Sequence, residues 1–147
     1  MSKIILNELF ERELKKLQTE ISLYKDEDNL WLVKEGISNS AGNLCLHLLG
    51  NLNHFIGTSL GNTGYVRYRD DEFSLKNIPR QDLLMNIDNC ILIVHGSLQK
   101  LTDADLEKDF PLEFNGKIIS TLHMLIHLHG HLTYHLGQIN YHRRLLD

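Results

Sequence analysis

His131 and His135 stand one helical turn apart in a chain that carries nine histidines, and such an i, i+4 pair offers two ring nitrogens to one ion without backbone strain. Metal binding is the chemistry this spacing points to. Six of the histidines, His123, His127, His129, His131, His135 and His142, fall between Ile118 and Leu146, a stretch that reads as one long helix. With His131 at zero on a helical wheel, His135 lies at about +40°, His142 at about +20°, His127 at about −40° and His123 at about −80°. His129, at about 160°, faces away and is left out of the site. Met124, Leu128, Leu132, Ile139 and Leu146 border the stripe, so its imidazoles are expected to be partly buried. Buried imidazoles that crowd together cannot all be protonated, so hydrogen bonds or a metal must satisfy them. His123 and His127, taken alone, read as core or interface histidines.

A third ligand has to come from another helix, where His47 and His54 lie at i and i+7 on one face, about 10.5 Å apart along the axis. Only one of them can join the pair. His47 sits in Leu44-Cys45-Leu46-His47-Leu48-Leu49, an apolar context in which an unligated imidazole is costly, whereas His54 lies nearer the helix end and is kept as the alternative. Glu-x-x-His occurs nowhere, which removes the ligands of a di-iron carboxylate site. A bis-histidine haem is harder to exclude. Three nitrogen donors without a carboxylate favour one divalent ion, Zn, Ni or Fe, in a site that keeps a position for water.

The elements that must position these groups are helical. Helical periodicity marks residues 4–24 (with Ile5, Leu9, Leu17 and Ile21 apolar), 38–60, 80–101 (with Leu84, Ile87, Ile91, Val94 and His95 on the apolar side) and 118–146. Ser38-Asn39-Ser40 supplies a cap for the second helix and Gly61-Asn62-Thr63-Gly64 a stop. The 19 residues from Gly61 to Pro79 exceed an ordinary interhelix turn and suggest a crossover connection. Thr102 to Asp109 is expected to be loop. The expectation is an all-α four-helix bundle in a single domain, 1–147, with a long crossover between helices two and three.

Composition narrows the function classes. A net charge of −4 with scattered Lys and Arg gives no footprint for nucleic acid, and no apolar run approaches the roughly 20 residues of a membrane span. The N-terminus meets charge too early for a secretory signal, so a cytoplasmic location is expected. Cys45 and Cys90 lie in apolar helical patterns and are read as packing residues.

His131-Leu132-Thr133-Tyr134-His135-Leu136-Gly137-Gln138-Ile139 resembles the last helix of the DinB superfamily, where His-x-x-x-His is followed closely by Gly-Gln. Asn43-Leu44-Cys45-Leu46-His47-Leu48-Leu49-Gly50-Asn51-Leu52 and Gly64-Tyr65-Val66-Arg67-Tyr68-Arg69-Asp70-Asp71-Glu72-Phe73 are similar to a branch of uncharacterised DinB-like proteins. The resemblance implies a four-helix bundle, usually a homodimer, with one divalent metal on three histidines. On matching positions these are His47, His131 and His135. Family members of known activity include metal-dependent thiol transferases.

The expected function is a metal-dependent enzyme, a thiol-type transferase or hydrolase acting on a small electrophilic molecule. The alternative is a non-catalytic metal-stabilised or stress-response interaction bundle. No general base is identifiable. Gln138, at about −20° on the wheel, is placed to orient a ligand imidazole or cap a dimer contact. Tyr134, His142 and Asp70 are candidate helpers. Each has a plainer reading: packing for Tyr134, a helix-end cation for His142, and loop solvation or pairing with Arg67 and Arg69 for Asp70 and Glu72. A second apolar strip, Ile118, Leu122, Leu125, Ile126 and Leu136, is read as a dimer face or as core.

Overall fold

The computed structural model describes residues 1–147 and is all-helical, with six α-helices. They are α1 (Ser2–Leu23), α2 (Ala41–Leu52), α3 (Arg69–Ser74), α4 (Arg80–Gln99), α5 (Asp103–Glu107) and α6 (Thr121–Leu146). A 3-10 turn, Glu27–Trp31, precedes α2, and a π turn, Asn53–Thr58, continues it. α1 packs on α4 and α6, and α2 packs on α3, α4 and α6. No helix is long and apolar enough to cross a membrane.

The buried stripe of α1 is Leu6, Phe10, Leu14, Leu17 and Ile21, spaced 4, 4, 3 and 4 residues apart. Leu17 and Ile21 are where periodicity put them. Ile5 lies about 100° away from Leu6 on the helix and is exposed, because continuing back from Leu17 in helical steps lands on Leu6. On α4, Ile87 and Val94 are buried as expected, joined by Leu83, Cys90 and Leu98, while Leu84 and Ile91 pack at the margin. On α6, Met124, Leu128, Leu132 and Ile139 enter the core. The second strip does not form a face: Leu125 and Leu136 are buried, and Ile118 and Ile126 are exposed.

Local chemistry explains the boundaries. The Ser40 hydroxyl accepts the Asn43 N–H at 3.1 Å and starts α2, and Asn62 and Gly64, at φ of 58° and 78°, end the turn that follows it. The last helix begins at Thr121 rather than Ile118, where Ser120 accepts the His123 N–H. The stretch expected to be loop, Thr102 to Asp109, contains α5. Thr102 and Asp105 cap each other reciprocally with Asp in the place where Glu is usual, and Leu106 buries its side chain behind them. The connection from Gly61 to Pro79 likewise contains a helix, α3, held against α2.

Cys45 and Cys90 are buried and unpaired, and burial raises the pKa of both thiols, as packing residues require. His142 is a tie between elements. Its Nε2 meets the Leu32 carbonyl at 2.9 Å and its Nδ1 meets the Tyr24 hydroxyl at 2.6 Å, so α6 is fastened to the segment that follows α1. Burial holds the Tyr24 hydroxyl protonated, which makes it the donor. Tyr24→Phe leaves Nδ1 buried without a partner and is expected to lower stability by about 1–3 kcal/mol, read as a lower urea midpoint at unchanged slope.

Candidate metal centre

His47 projects from the middle of α2 and is 6% exposed, while His131 and His135 project from α6 and are half-buried. One nitrogen from each of the three lies within 4.8 Å of the other two. His131 is central: its Nε2 stands 3.0 Å from the Nε2 of His47 and 3.1 Å from that of His135. The rings meet edge to face, with centroids 4.5 to 5.2 Å apart.

What these nitrogens carry is decided by the groups behind them. His47 Nδ1 lies 3.0 Å from a carboxylate oxygen of Glu72, and His135 Nδ1 lies 2.6 Å from Gln138 Oε1. Both partners are acceptors, so both rings carry the proton on Nδ1 and turn a bare Nε2 lone pair toward His131. The middle ring can donate an Nε2–H to only one of them. A cation at the point of convergence uses all three lone pairs together. Two nitrogens about 2.0–2.1 Å from one ion stand about 2.9 Å apart at a right angle and about 3.4 Å apart at the tetrahedral angle, and the observed 3.0 and 3.1 Å lie between. The donor set therefore fits a divalent metal. His131 Nδ1 is buried and has no protein partner.

Electrostatics point the same way. Burial, reinforced by the neighbouring His135 and His47, pushes the His131 pKa down to about 4, and burial also lowers that of His135. Their lone pairs are free near neutrality.

Glu72 is the residue that sequence reasoning left outside the site. It is the buried partner of Arg67, not a solvated loop carboxylate: the guanidinium donates to both its oxygens at 2.8 Å. Burial drives the Glu72 carboxyl upward, but Arg67 and His47 outweigh it and hold the group below its ordinary value, as an anion. So the three nitrogens contain no carboxylate among them, yet one carboxylate stands directly behind them. Gly50, one turn beyond His47, makes this approach possible, since a Cβ there would come within 1.9 Å of a Glu72 oxygen. Asn43, one turn before His47, clamps α3 by donating to the carbonyls of Glu72 and Leu75 at 2.9 and 2.8 Å. Phe73 tilts against the His47 ring at 4.9 Å.

The other candidates separate cleanly. His54 lies outside the cluster, its ring against Phe55 at 4.7 Å. Gln138, read from the wheel as either a support for a ligand imidazole or a dimer cap, has its Oε1 2.6 Å from His135 Nδ1. Tyr134 is exposed, with its ring edge-on to His135 at 5.3 Å. His142 spends both nitrogens on Tyr24 and Leu32, so it is neither a free helix-end cation nor a group able to serve the triad. Asp70 is exposed on the first turn of α3 and has no hydrogen bond to the triad. His127 lies tilted against Phe114, and His129 packs edge-on against Phe10 on the opposite side of α6, where the wheel put it.

A family model described as a protein of unknown function, DUF1572, matches residues 5–147. The chain belongs to this family. Membership in DUF1572 spans the triad, Glu72 and both helices that supply ligands, and the family's description assigns it no activity. No curated protein matches the chain.

Glu72→Gln removes the anion that fixes the His47 tautomer and is expected to weaken Zn binding about 10- to 100-fold. Gly50→Ala should weaken it comparably by displacing Glu72, while the far-UV helical signal stays unchanged. Calorimetric titration of the two variants checks both.

Proposed function

We propose that this DUF1572 protein is a DinB-like four-helix bundle that binds one divalent ion, Zn, Ni or Fe, on His47, His131 and His135. In this reading α1, α2, α4 and α6 are the bundle helices and residues 61–79 are the crossover between the second and third. The observation that carries the metal assignment is the pair of Nε2 lone pairs, fixed by Glu72 and Gln138, that converge on His131. The resemblance of the His131–Ile139 stretch to the DinB superfamily supports the bundle. A homodimer is part of the proposal, supported by the resemblance to the DinB superfamily alone.

We further propose that the protein is a metal-dependent enzyme, a thiol-type transferase or hydrolase acting on a small electrophilic molecule. When bound, the ion supplies Lewis acidity toward a water or thiol. Three protein nitrogens leave it a position for that group. Glu72 and Gln138 keep the ligand rings in one tautomer and one orientation. Arg67 keeps Glu72 anionic and crosses the Phe55 ring at 5.9 Å, which holds the charged pair in place. Phe73 covers one side of His47 and limits water there.

A second reading, a non-catalytic metal-stabilised bundle, is favoured by the way the triad ties α2 to α6 through a buried His47. Chelation separates the two. An open catalytic site predicts a modest fall in melting temperature with loss of turnover, whereas a structural ion predicts a large fall. Zn-, Ni- and Fe-loaded protein should turn over a thiol with a panel of epoxides and haloaromatics, and His47→Ala should abolish this and weaken metal binding more than about 100-fold. No metal-dependent turnover, with metal affinity unchanged in His47→Ala, defeats site and mechanism together.

A further inference from the structure

A cavity of about 700 Å³ opens beside the triad. One side is α6 from Tyr134 to Leu145, the other is the loop from Gly36 to Asn39 together with Leu44 of α2. His135 and Gln138 belong to both the cavity and the metal centre, so an occupant lies against the ring that faces the ion.

The lining states what it accepts. It contains no Lys, Arg, Asp or Glu, although these make up 23% of the chain. The other sizeable cavities are each bordered by both acidic and basic side chains. In the metal-free chain a charged molecule entering this one would give up hydration without gaining a counter-ion from the side chains that line it. Its polar groups are the hydroxyls of Ser38, Tyr134 and Tyr141, the amides of Asn39 and Gln138 and the imidazoles of His135 and His142, none of them a permanent charge; the Gln138 carbonyl is spent on His135 and both His142 nitrogens on Tyr24 and Leu32. The Arg144 guanidinium lies 5.2 Å over the Tyr141 ring and does not line the cavity.

Shape adds a second constraint. Tyr134 and Tyr141 stand two turns apart on α6, about 10.5 Å along its axis, with Gly137 between them. A Cβ at Gly137 would meet nothing within 4 Å, so the helix backbone is bare there. Two aromatic walls and a glycine floor suit a flat ring, with Ile37 and Leu145 to cover its edge.

We propose that this cavity is the substrate site of the metal centre and that it takes an uncharged, flat aromatic molecule. The word substrate rests on the metal reading above; the charge and shape selectivity of the cavity does not.

The full chain, freed of metal with a chelator, is tested by equilibrium dialysis against 2-naphthol, 2-naphthoate and 2-naphthylmethylammonium, three probes of one ring system and three charges. The neutral probe is expected to bind at least tenfold more tightly than either ion. Gly137→Leu fills the floor and should cost at least tenfold in naphthol affinity, with Zn affinity unchanged and a melting temperature at or above that of the parent, since Leu favours helix where the side chain meets open space. His131→Ala should lose Zn and keep naphthol. In Co(II)-loaded protein, naphthol should shift the visible absorption of the ion. Equal binding of the three probes, or naphthol affinity indifferent to Gly137→Leu, overturns the selectivity. An unchanged Co(II) spectrum overturns the placement beside the metal. Failure of Zn to bind, with naphthol selectivity intact, overturns the metal reading and the substrate role while the selectivity stands.

Discussion

Three imidazole nitrogens converge in a half-buried site with His131 3.0 and 3.1 Å from its two neighbours, and the one Nε2–H that His131 can offer satisfies only one of them, so two lone pairs are left in repulsion. That repulsion is the constraint around which the centre of this molecule is arranged. His47 Nε2 and His135 Nε2 both aim at His131 Nε2, and neither ring can relieve the crowding by moving its proton, because Glu72 and Gln138 hold those protons on the far nitrogens. Burial removes the other escape by disfavouring a charged His131. What remains is an arrangement in which the three residues are able to hold a cation.

The surrounding structure serves this arrangement more than its size suggests. α3 is only six residues long and would be marginal alone. It persists because Asn43 takes two of its terminal carbonyls and because Glu72 is locked between Arg67 and His47. Gly50 contributes by lacking a side chain. Asn43, His47 and Gly50 sit on successive turns of α2, so one face of that helix supplies the clamp, the ligand and the clearance.

Much of this was legible in the sequence, and the parts that were not share a cause. Helical spacing placed His131 and His135 together, turned His129 away, and put Gln138 behind a ligand ring, because all of these relations lie within one regular helix. An apolar context favoured His47 over His54. What spacing could not reveal was Glu72, which reaches His47 across 25 residues through an irregular connection. Its carboxylate read as a loop charge or a partner for Arg67 and Arg69; the pairing with Arg67 is present, and the contact with His47 is what was not foreseen. His142 misled for the same reason: it shares the wheel sector of the ligands, but Tyr24 and Leu32 arrive from another element and take both its nitrogens. α5 was hidden by composition, since an acidic run reads as loop until Thr102 and Asp105 are seen to cap each other. The two short motifs in which Asn43, Gly50, Arg67 and Glu72 lie held the missing information, but as a resemblance and not as physics.

The distribution of the ligands along the chain has a consequence for how the protein matures. His47 and His131 are 84 positions apart, so the pair on α6 is synthesised well after the donor on α2. The growing polypeptide presents one imidazole of the cluster on α2 and neither of the other two until α6 has emerged. The three-nitrogen cluster is thereby assembled only once α6 has docked on α2, and a chain that stalls before α6 or misplaces it is left without the cluster. Convergence of the three rings thus distinguishes molecules with α6 in place from those without it.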